Sequence, residues 1–401
     1  MPLTAAWGSI LDAIHERSIF GRADTYSLWT TLRGGTRVRV ILMMLLALSM
    51  ILFGAELFTN GVEWLGRKLG LGDGAIGSVL AALGTALPET AVPVTAILLG
   101  AGSKGSEEVG MGGILGAPFL LVTLGSLIMG VTLWVRQSTQ DTSERLHVRG
   151  KAFYRDMMFF LLTYSFVIVS GIVPWLWLHH LAPWVLVGAY LLFVIVALRE
   201  KWANTPGERP HPLYLQWKAV EPTWQSVVVQ LLVSLLTIIL GAQMLSSGVG
   251  QVAVDLGMPT FALSALLIPL ATELPETLNS VVWIRQGKDA LALGNVTGAM
   301  VFQSTLVPAL GIWLTPWRLD LPALLTGSLT LAAGSLLLGF YLLRRRLVAG
   351  VLAGVSLLYW VLPLQILAGR YELQEWSFWL TITIITAVVF AFRWNLRVRG
   401  T

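Results

Sequence analysis

Glu89, Glu273 and Glu276 stand inside long apolar stretches that contain no Lys or Arg. A charged side chain at the centre of a bilayer costs at least ~2.5–3.5 kcal/mol on insertion scales. With no built-in cation nearby in sequence, the natural partner for such carboxylates is a bound metal ion, Na⁺ or a proton. Glu273 lies one helical turn before Glu276, on the same face. Pro88 and Pro275 precede Glu89 and Glu276 directly. Proline has no N–H and clashes with the carbonyl one turn back, so the carbonyls of Gly84 and Ala271 are expected to turn towards an ion. The hydroxyls of Thr85 and Thr272 add further oxygens. Ca²⁺ takes 6–8 oxygen ligands, carboxylates and carbonyls among them.

These residues belong to a repeat. Gly54-Ala55-Glu56-Leu57-Phe58-Thr59-Asn60-Gly61-Val62 matches Gly241-Ala242-Gln243-Met244-Leu245-Ser246-Ser247-Gly248-Val249. Leu69-Gly70 matches Leu256-Gly257, and Gly84–Thr90 matches Ala271–Thr277, all at one offset of 187 residues. A weaker match pairs Gly112–Ala117 with Gly294–Ala299 at an offset of 182. The Gly-rich segments Gly112–Gly116 and Gly294–Gly298 would let the following helix pack closely on the site.

The plainer readings differ from residue to residue. A membrane carboxyl can be protonated and hydrogen-bonded, but both copies keep Pro-Glu-Thr, which argues against that for Glu89 and Glu276. Glu273 has Ala86 as its counterpart, so it is either a ligand or a neutral partner of Glu276. Asn295 and Gln303 stand evenly between facing an ion and bonding another helix. Glu56 reads as facing a vestibule or as a solvated helix position, and Glu63 as the latter.

The elements that carry these groups follow from composition. Of 401 residues, 55% are apolar and 12% charged, against about 25% charged in soluble domains. Runs long enough for the roughly 20 residues of a membrane helix occur at 38–65, 75–99, 109–135, 152–178, 183–198, 224–254, 259–284, 290–313, 321–343, 347–367 and 376–392. In lipid, spans of this kind must be helical. The expected fold is an all-α polytopic membrane protein of about eleven transmembrane helices. Five spans precede the second copy, so the two five-helix repeats have inverted topology, a transporter layout with its site at mid-membrane. Residues 37–199 form the first repeat, 200–223 the linker and 224–369 the second. Residues 370–401 are an extra helix with a basic tail, and 1–36 an arm with a possible interfacial helix over Leu3–Phe20 rather than a cleavable signal peptide.

Nineteen of the 27 Lys and Arg fall on one side of this arrangement. The positive-inside rule makes that side cytoplasmic, with the N-terminus outside and the C-terminus inside. The five basic residues of the N-terminal arm pull the other way. The expected location is a plasma (inner) membrane. The net charge of +5 follows topology and is no nucleic-acid footprint. The absence of Cys removes thiol chemistry. No His-rich metal motif, nucleophile–His pairing or phosphate loop points to an enzyme. His179 and His180 fall in a short loop and read as solvated.

With these motifs the chain resembles the calcium/cation antiporter superfamily, which includes the sodium/calcium exchangers. That family has two inverted repeats, each with a Gly-Thr-Ser-x-Pro-Glu core followed by Gly-Asn-x-x-Gly-Ser-Asn. The cores here are Gly84-Thr85-Ala86-Leu87-Pro88-Glu89 and Ala271-Thr272-Glu273-Leu274-Pro275-Glu276, and the second segment survives best as Gly294–Ala299. The resemblance implies a ten-helix core, Glu89 and Glu276 as main ion ligands, help from Thr85 and Thr272, and alternating access by a sliding helix pair. Ala86, Ala117, Leu121 and Ala299 replace polar family positions, and Glu273 and Gln303 replace a Ser and an Asn or Asp. These departures count against Na⁺ coupling, while Glu273 restores one oxygen. The expected function is exchange of Ca²⁺, or a similar divalent cation, for Na⁺ or H⁺. The alternatives are a monovalent Na⁺/H⁺ exchanger and a non-transporting cation sensor. The expected partners are inorganic cations and the lipid bilayer, with no cofactor beyond the transported ion; the oligomeric state is open.

Overall fold

The structure, a computed structural model, describes residues 37–69, 87–100, 104–140, 145–146, 148–201, 211–219, 221–371 and 374–397. The expected helix over Leu3–Phe20 lies outside the described residues. Fifteen α-helices account for almost all of the rest. The first half holds α1 (Arg37–Lys68), α2 (Leu87–Leu99), α3 (Lys104–Leu120), α4 (Ser126–Gln140), α5 (Gly150–Ile172) and α6 (Leu176–Lys201). The second holds α7 (Trp224–Leu256), α8 (Thr260–Thr272), α9 (Leu274–Arg285), α10 (Asp289–Gln303), α11 (Leu306–Leu314), α12 (Leu321–Arg344), α13 (Ala349–Ser356) and α14 (Val361–Tyr371). α15 (Gln374–Arg397) packs on α13 and α14. Strands β1 (Arg145–Leu146) and β2 (Leu347–Val348) form a two-residue antiparallel bridge.

Among the described residues nine helices are long and apolar enough to cross a bilayer, or ten if α8 and α9, bent by 45°, count as one span. α2 is a shorter apolar helix, and the expected first part of its span, 75–86, lies outside the described residues. Several boundaries differ from expectation. The fourth span ends at Ile172 rather than 178, because Pro174 forces Val173 into an extended conformation (φ −84°, ψ 120°). α6 then starts at Leu176 and runs through Pro183, as membrane helices tolerate. His179 and His180 therefore sit in the first turns of α6 rather than in a loop, and His179 Nε2 donates to the Thr315 carbonyl at 3.0 Å.

Helix ends follow local chemistry. Thr223 and Asp320 cap α7 and α12 by accepting from the backbone N–H of Ser226 and Ala323. Gly257, at φ 59°, closes α7. α1 and α7 cross closely at the repeat-related Gly54 and Gly241. A Cβ on Gly54 would lie 2.7 Å from Ile238 Cγ1, and one on Gly241 2.9 Å from the Ala47 carbonyl.

Packing is reciprocal between the halves. α3 packs on α8 and α12, and α4 on α13; in return α11 packs on α2, α10 on α5, and α11 on α6. The third element is interrupted at matching places. A π-helical turn, Leu121–Gly125, separates α3 from α4, and Ser304-Thr305 separates α10 from α11. Helix irregularities of this kind gather at functional sites.

Segments expected on one face also meet. β1 joins β2, and residues 211–216, in the expected linker, dock against α1 and α7. Between segments expected on the opposite face, Leu319 N donates to Gly171 O at 3.3 Å. The linker contact is a closed polar network. His211 O accepts from Trp64 Nε1 (2.9 Å) and Asn60 Nδ2 (3.2 Å). Gln230, fully buried, donates to Leu57 O and Asn60 Oδ1, both at 2.9 Å, and accepts from Leu215 N at 3.0 Å. Glu56, exposed, accepts from the Tyr214 hydroxyl at 2.8 Å; this bond, with burial adding to it, raises the Tyr214 pKa above the usual phenol value. Glu56 thus meets the linker. Replacing Gln230 by Leu strands the Leu215 N–H and is expected to cost about 1–3 kcal/mol, read as a lower melting temperature in detergent. An unchanged melting curve would show that the network contributes nothing.

Candidate functional site

The second Pro-Glu motif falls at a break in the chain. α8 ends at Thr272, Glu273 bridges at φ −88° and ψ −6°, and α9 starts at Leu274 with Pro275 in its first turn. Pro275 cannot donate to the Ala271 carbonyl. The side chains of Leu274, Pro275 and Glu276 lie outside the described residues, as do Gly84 and Thr85. Ala271 is half-buried and Thr272 buried, its hydroxyl bonded to Ile268 O at 3.2 Å.

Glu273 is completely buried. Gln303, 1% exposed at the end of α10, donates its amide to Glu273 Oε1 at 2.8 Å. The other side-chain atom of this amide, Gln303 Oε1, is buried and hydrogen-bonds to no described residue. A buried carbonyl oxygen without a donor is costly and is suited to face a cation. The Glu273 backbone carbonyl accepts from the hydroxyl of buried Thr277 at 3.1 Å. A Cβ on Gly125 would lie 3.8 Å from Thr277 Cγ2, so the first turn of α9 abuts the π-helical turn.

Glu89, 3% exposed, lies in the first turn of α2. Val92 and Ala96 of α2 share an apolar cluster with Ile268 of α8 and residues of α1, α3 and α7. Ala91 and Ala271 pack against the same cluster. Segments immediately beside Glu89 and Glu273 therefore meet at one place in the fold. Gly113 of α3 sits between the two motif helices: its Cβ position is 3.0 Å from Pro93 Cγ and 3.3 Å from Ile268 Cγ2.

The remaining expected residues divide. Gly112 approaches α8 closely, its Cβ position 2.6 Å from Phe261 O, and Gly116 meets Ala265 backbone. Gly294 and Gly298 have no such described neighbour. Asn295 is half-buried, and its amide nitrogen is buried with no hydrogen bond to a described residue. It lies eight residues before Gln303, about 12 Å along the helix. Ala117 and Leu121 are buried and Ala299 is half-buried.

Sequence reasoning missed two polar centres. Arg136 at the end of α4 makes two bonds to Asp289, at 2.5 and 3.1 Å, and one to Ile284 O at 2.5 Å. Asp156 on α5 accepts from Thr297 Oγ1 on α10 at 2.8 Å and from Arg155 at 2.7 Å. The available signal was charge at the ends of apolar runs; the partners are far apart in sequence.

Fold and site together define a polytopic helical membrane protein with buried Glu273 at a helix break and buried Glu89 in the first turn of α2. A family model described as sodium/calcium exchanger protein matches residues 39–199 and 226–369, and the chain belongs to that family, one of cation exchangers. "Putative antiporter CaxA" of Alkalimonas amylolytica is 25% identical over 311 residues, covering 76% of this chain and 89% of that protein. Inner membrane protein YrbG of Escherichia coli (strain K12) is 22% identical over 353 residues, covering 80% and 97%. The crystal structure of the H⁺/Ca²⁺ exchanger CAX superposes with a TM-score of 0.63 at 19% identity, covering 93% of this chain and 94% of that one.

Proposed function

We propose that the protein is a secondary active antiporter that exchanges Ca²⁺, or a similar divalent cation, for Na⁺ or H⁺. Glu89, Glu276 and Glu273 bind the cation between the repeats. Thr85, Thr272, Gln303, Asn295 and the carbonyls of Gly84 and Ala271 supply further oxygens. The observation that carries this reading is the fully buried Glu273 at the α8–α9 break, joined to Gln303 beside the cluster that also holds α2. Membership in an exchanger family and similarity to the putative antiporter CaxA and the H⁺/Ca²⁺ exchanger CAX support it. Reciprocal packing of the halves supports inverted repeats. We place residues 211–216 and the C-terminus on the cytoplasmic side of an inner membrane and the N-terminus outside, from the distribution of basic residues.

Cation and counter-ion compete for the same carboxylates. Burial raises a carboxyl pKa and a bound cation lowers it, so loading of one expels the other. Buried Ala117 and Leu121 at positions where exchangers carry polar groups favour a second reading, a cation sensor without flux.

Radiolabelled Ca²⁺ uptake into proteoliposomes, driven in turn by a Na⁺ gradient and a pH gradient, tests both readings. Uptake under one gradient is expected. Na⁺ flux against a pH gradient without Ca²⁺ movement would make the protein a monovalent exchanger, and Ca²⁺ binding without any flux would leave the sensor.

A further inference from the structure

Each repeat carries an acid and a base at the two ends of its third element. The 182-residue offset that aligns Gly112 with Gly294 also aligns Glu107 with Asp289 and Arg136 with Arg318. By the alternation of spans, Arg136 and Asp289 lie on the face that holds the docked linker, and Arg318 and Glu107 on the opposite face.

The two sets differ in this structure. Arg136 (8% exposed) and Asp289 (3% exposed) form a bidentate pair. Arg136 also holds the Ile284 carbonyl near the end of α9, where a cation suits the helix dipole. That contact ties the helix whose first turn contains Glu276 to α4. On the other face Arg318 is exposed and Glu107 half-buried, and neither makes an ion pair among the described residues. The residue before Arg318 is strained. Trp317 is buried with φ at 45°, a region that bulky residues rarely enter. Its indole donates to Val167 O at 3.2 Å. Backbone strain of this kind gathers at switch segments.

We propose that Arg136–Asp289 and Arg318–Glu107 are alternating latches, resting on the antiport reading above. With the first shut, the linker face is sealed and the mirror pair is apart. In the counter-state Arg318 engages Glu107 and the end of α2, the helix of Glu89, and the first latch opens. Arg136 and Arg318 are positioning residues: they act on the ion through the helix that each one holds.

The native chain has no Cys, so a Glu107→Cys/Arg318→Cys pair reports proximity on the far face without background. The pair is cross-linked in proteoliposomes with Arg136 intact and again with Arg136→Gln, and Ca²⁺ flux is read on vesicles of the single Arg136→Gln variant and the native chain. Opening one latch is expected to speed cross-linking at the other roughly fivefold or more, the lower end of ordinary site-to-site coupling. Asp289→Asn is expected to give the same result and replaces Arg136→Gln if that variant is not monodisperse. Equal cross-linking rates in all backgrounds would make Arg136–Asp289 a static staple and overturn the proposal. Accelerated cross-linking with no cation flux in the native chain would remove the antiport reading and leave the latches standing.

Discussion

Glu89→Gln, purified and reconstituted, is expected to lose Ca²⁺ exchange while its elution profile and melting temperature stay near those of the native protein. The substitution keeps shape and removes charge at a residue that is 3% exposed. Two unit charges 4 Å apart attract by about 4 kcal/mol at an effective dielectric of 20, and about 1.4 kcal/mol is tenfold in affinity. A divalent ion is held by about twice that attraction, so on losing one carboxylate it should bind at least roughly a thousandfold more weakly. Glu276→Gln is expected to match it, as the repeat-related Pro-Glu-Thr unit demands. Full transport by either variant would dismiss the carboxylate site. The same assay on Glu273→Gln separates ligand from scaffold: a residue that serves only as scaffold loses stability rather than flux.

Gly116→Val is expected to do the opposite, breaking the fold rather than the chemistry. A Cβ at Gly116 runs into the Ala265 carbonyl, Cα and carbonyl carbon, all backbone atoms that cannot rotate away. At Gly112, one turn earlier, the Phe261 carbonyl is 2.6 Å from the Cβ position. The α3–α8 crossing must then widen along its length. Overpacking costs about 1–3 kcal/mol where side chains can yield, and backbone that cannot yield puts Gly116→Val at or above that range. A low monodisperse yield and a melting temperature lowered by several degrees would register it. Gly188→Ala on α6, where a Cβ meets nothing within 4 Å, is the control and is expected to be neutral or slightly stabilising. Equal behaviour of the two variants would mean that α3 and α8 do not cross as described.

The spans were readable because bilayer length and apolar composition act locally, and every expected run contains a described helix. The repeat is legible as sequence, and its matched Gly54 and Gly241 both lie at the α1–α7 crossing. Breaks within spans were harder. Pro183 looked like a boundary and is helical, whereas Pro174, five residues before His179, ends α5; proline alone does not say which of two neighbours terminates a helix. The π-helical turn over Leu121–Gly125 carries no Pro and left no mark. Gln303 is a candidate through the polar position it fills in the family resemblance, and the structure bonds its amide to Glu273, a contact that spacing alone does not give. Arg136–Asp289 and Asp156–Thr297 are not legible because they join residues 153 and 141 positions apart, and pairing over that distance is a property of the packed bundle.

The docked linker has a mechanical consequence. His211, Tyr214 and Leu215 bind α1 and α7 at once through Trp64, Asn60 and Gln230. Any shear of one of these helices past the other strips several of those bonds together. Residues 211–215 therefore act as a splint across the α1–α7 crossing, and sliding of one of these helices along the other is expected to be resisted.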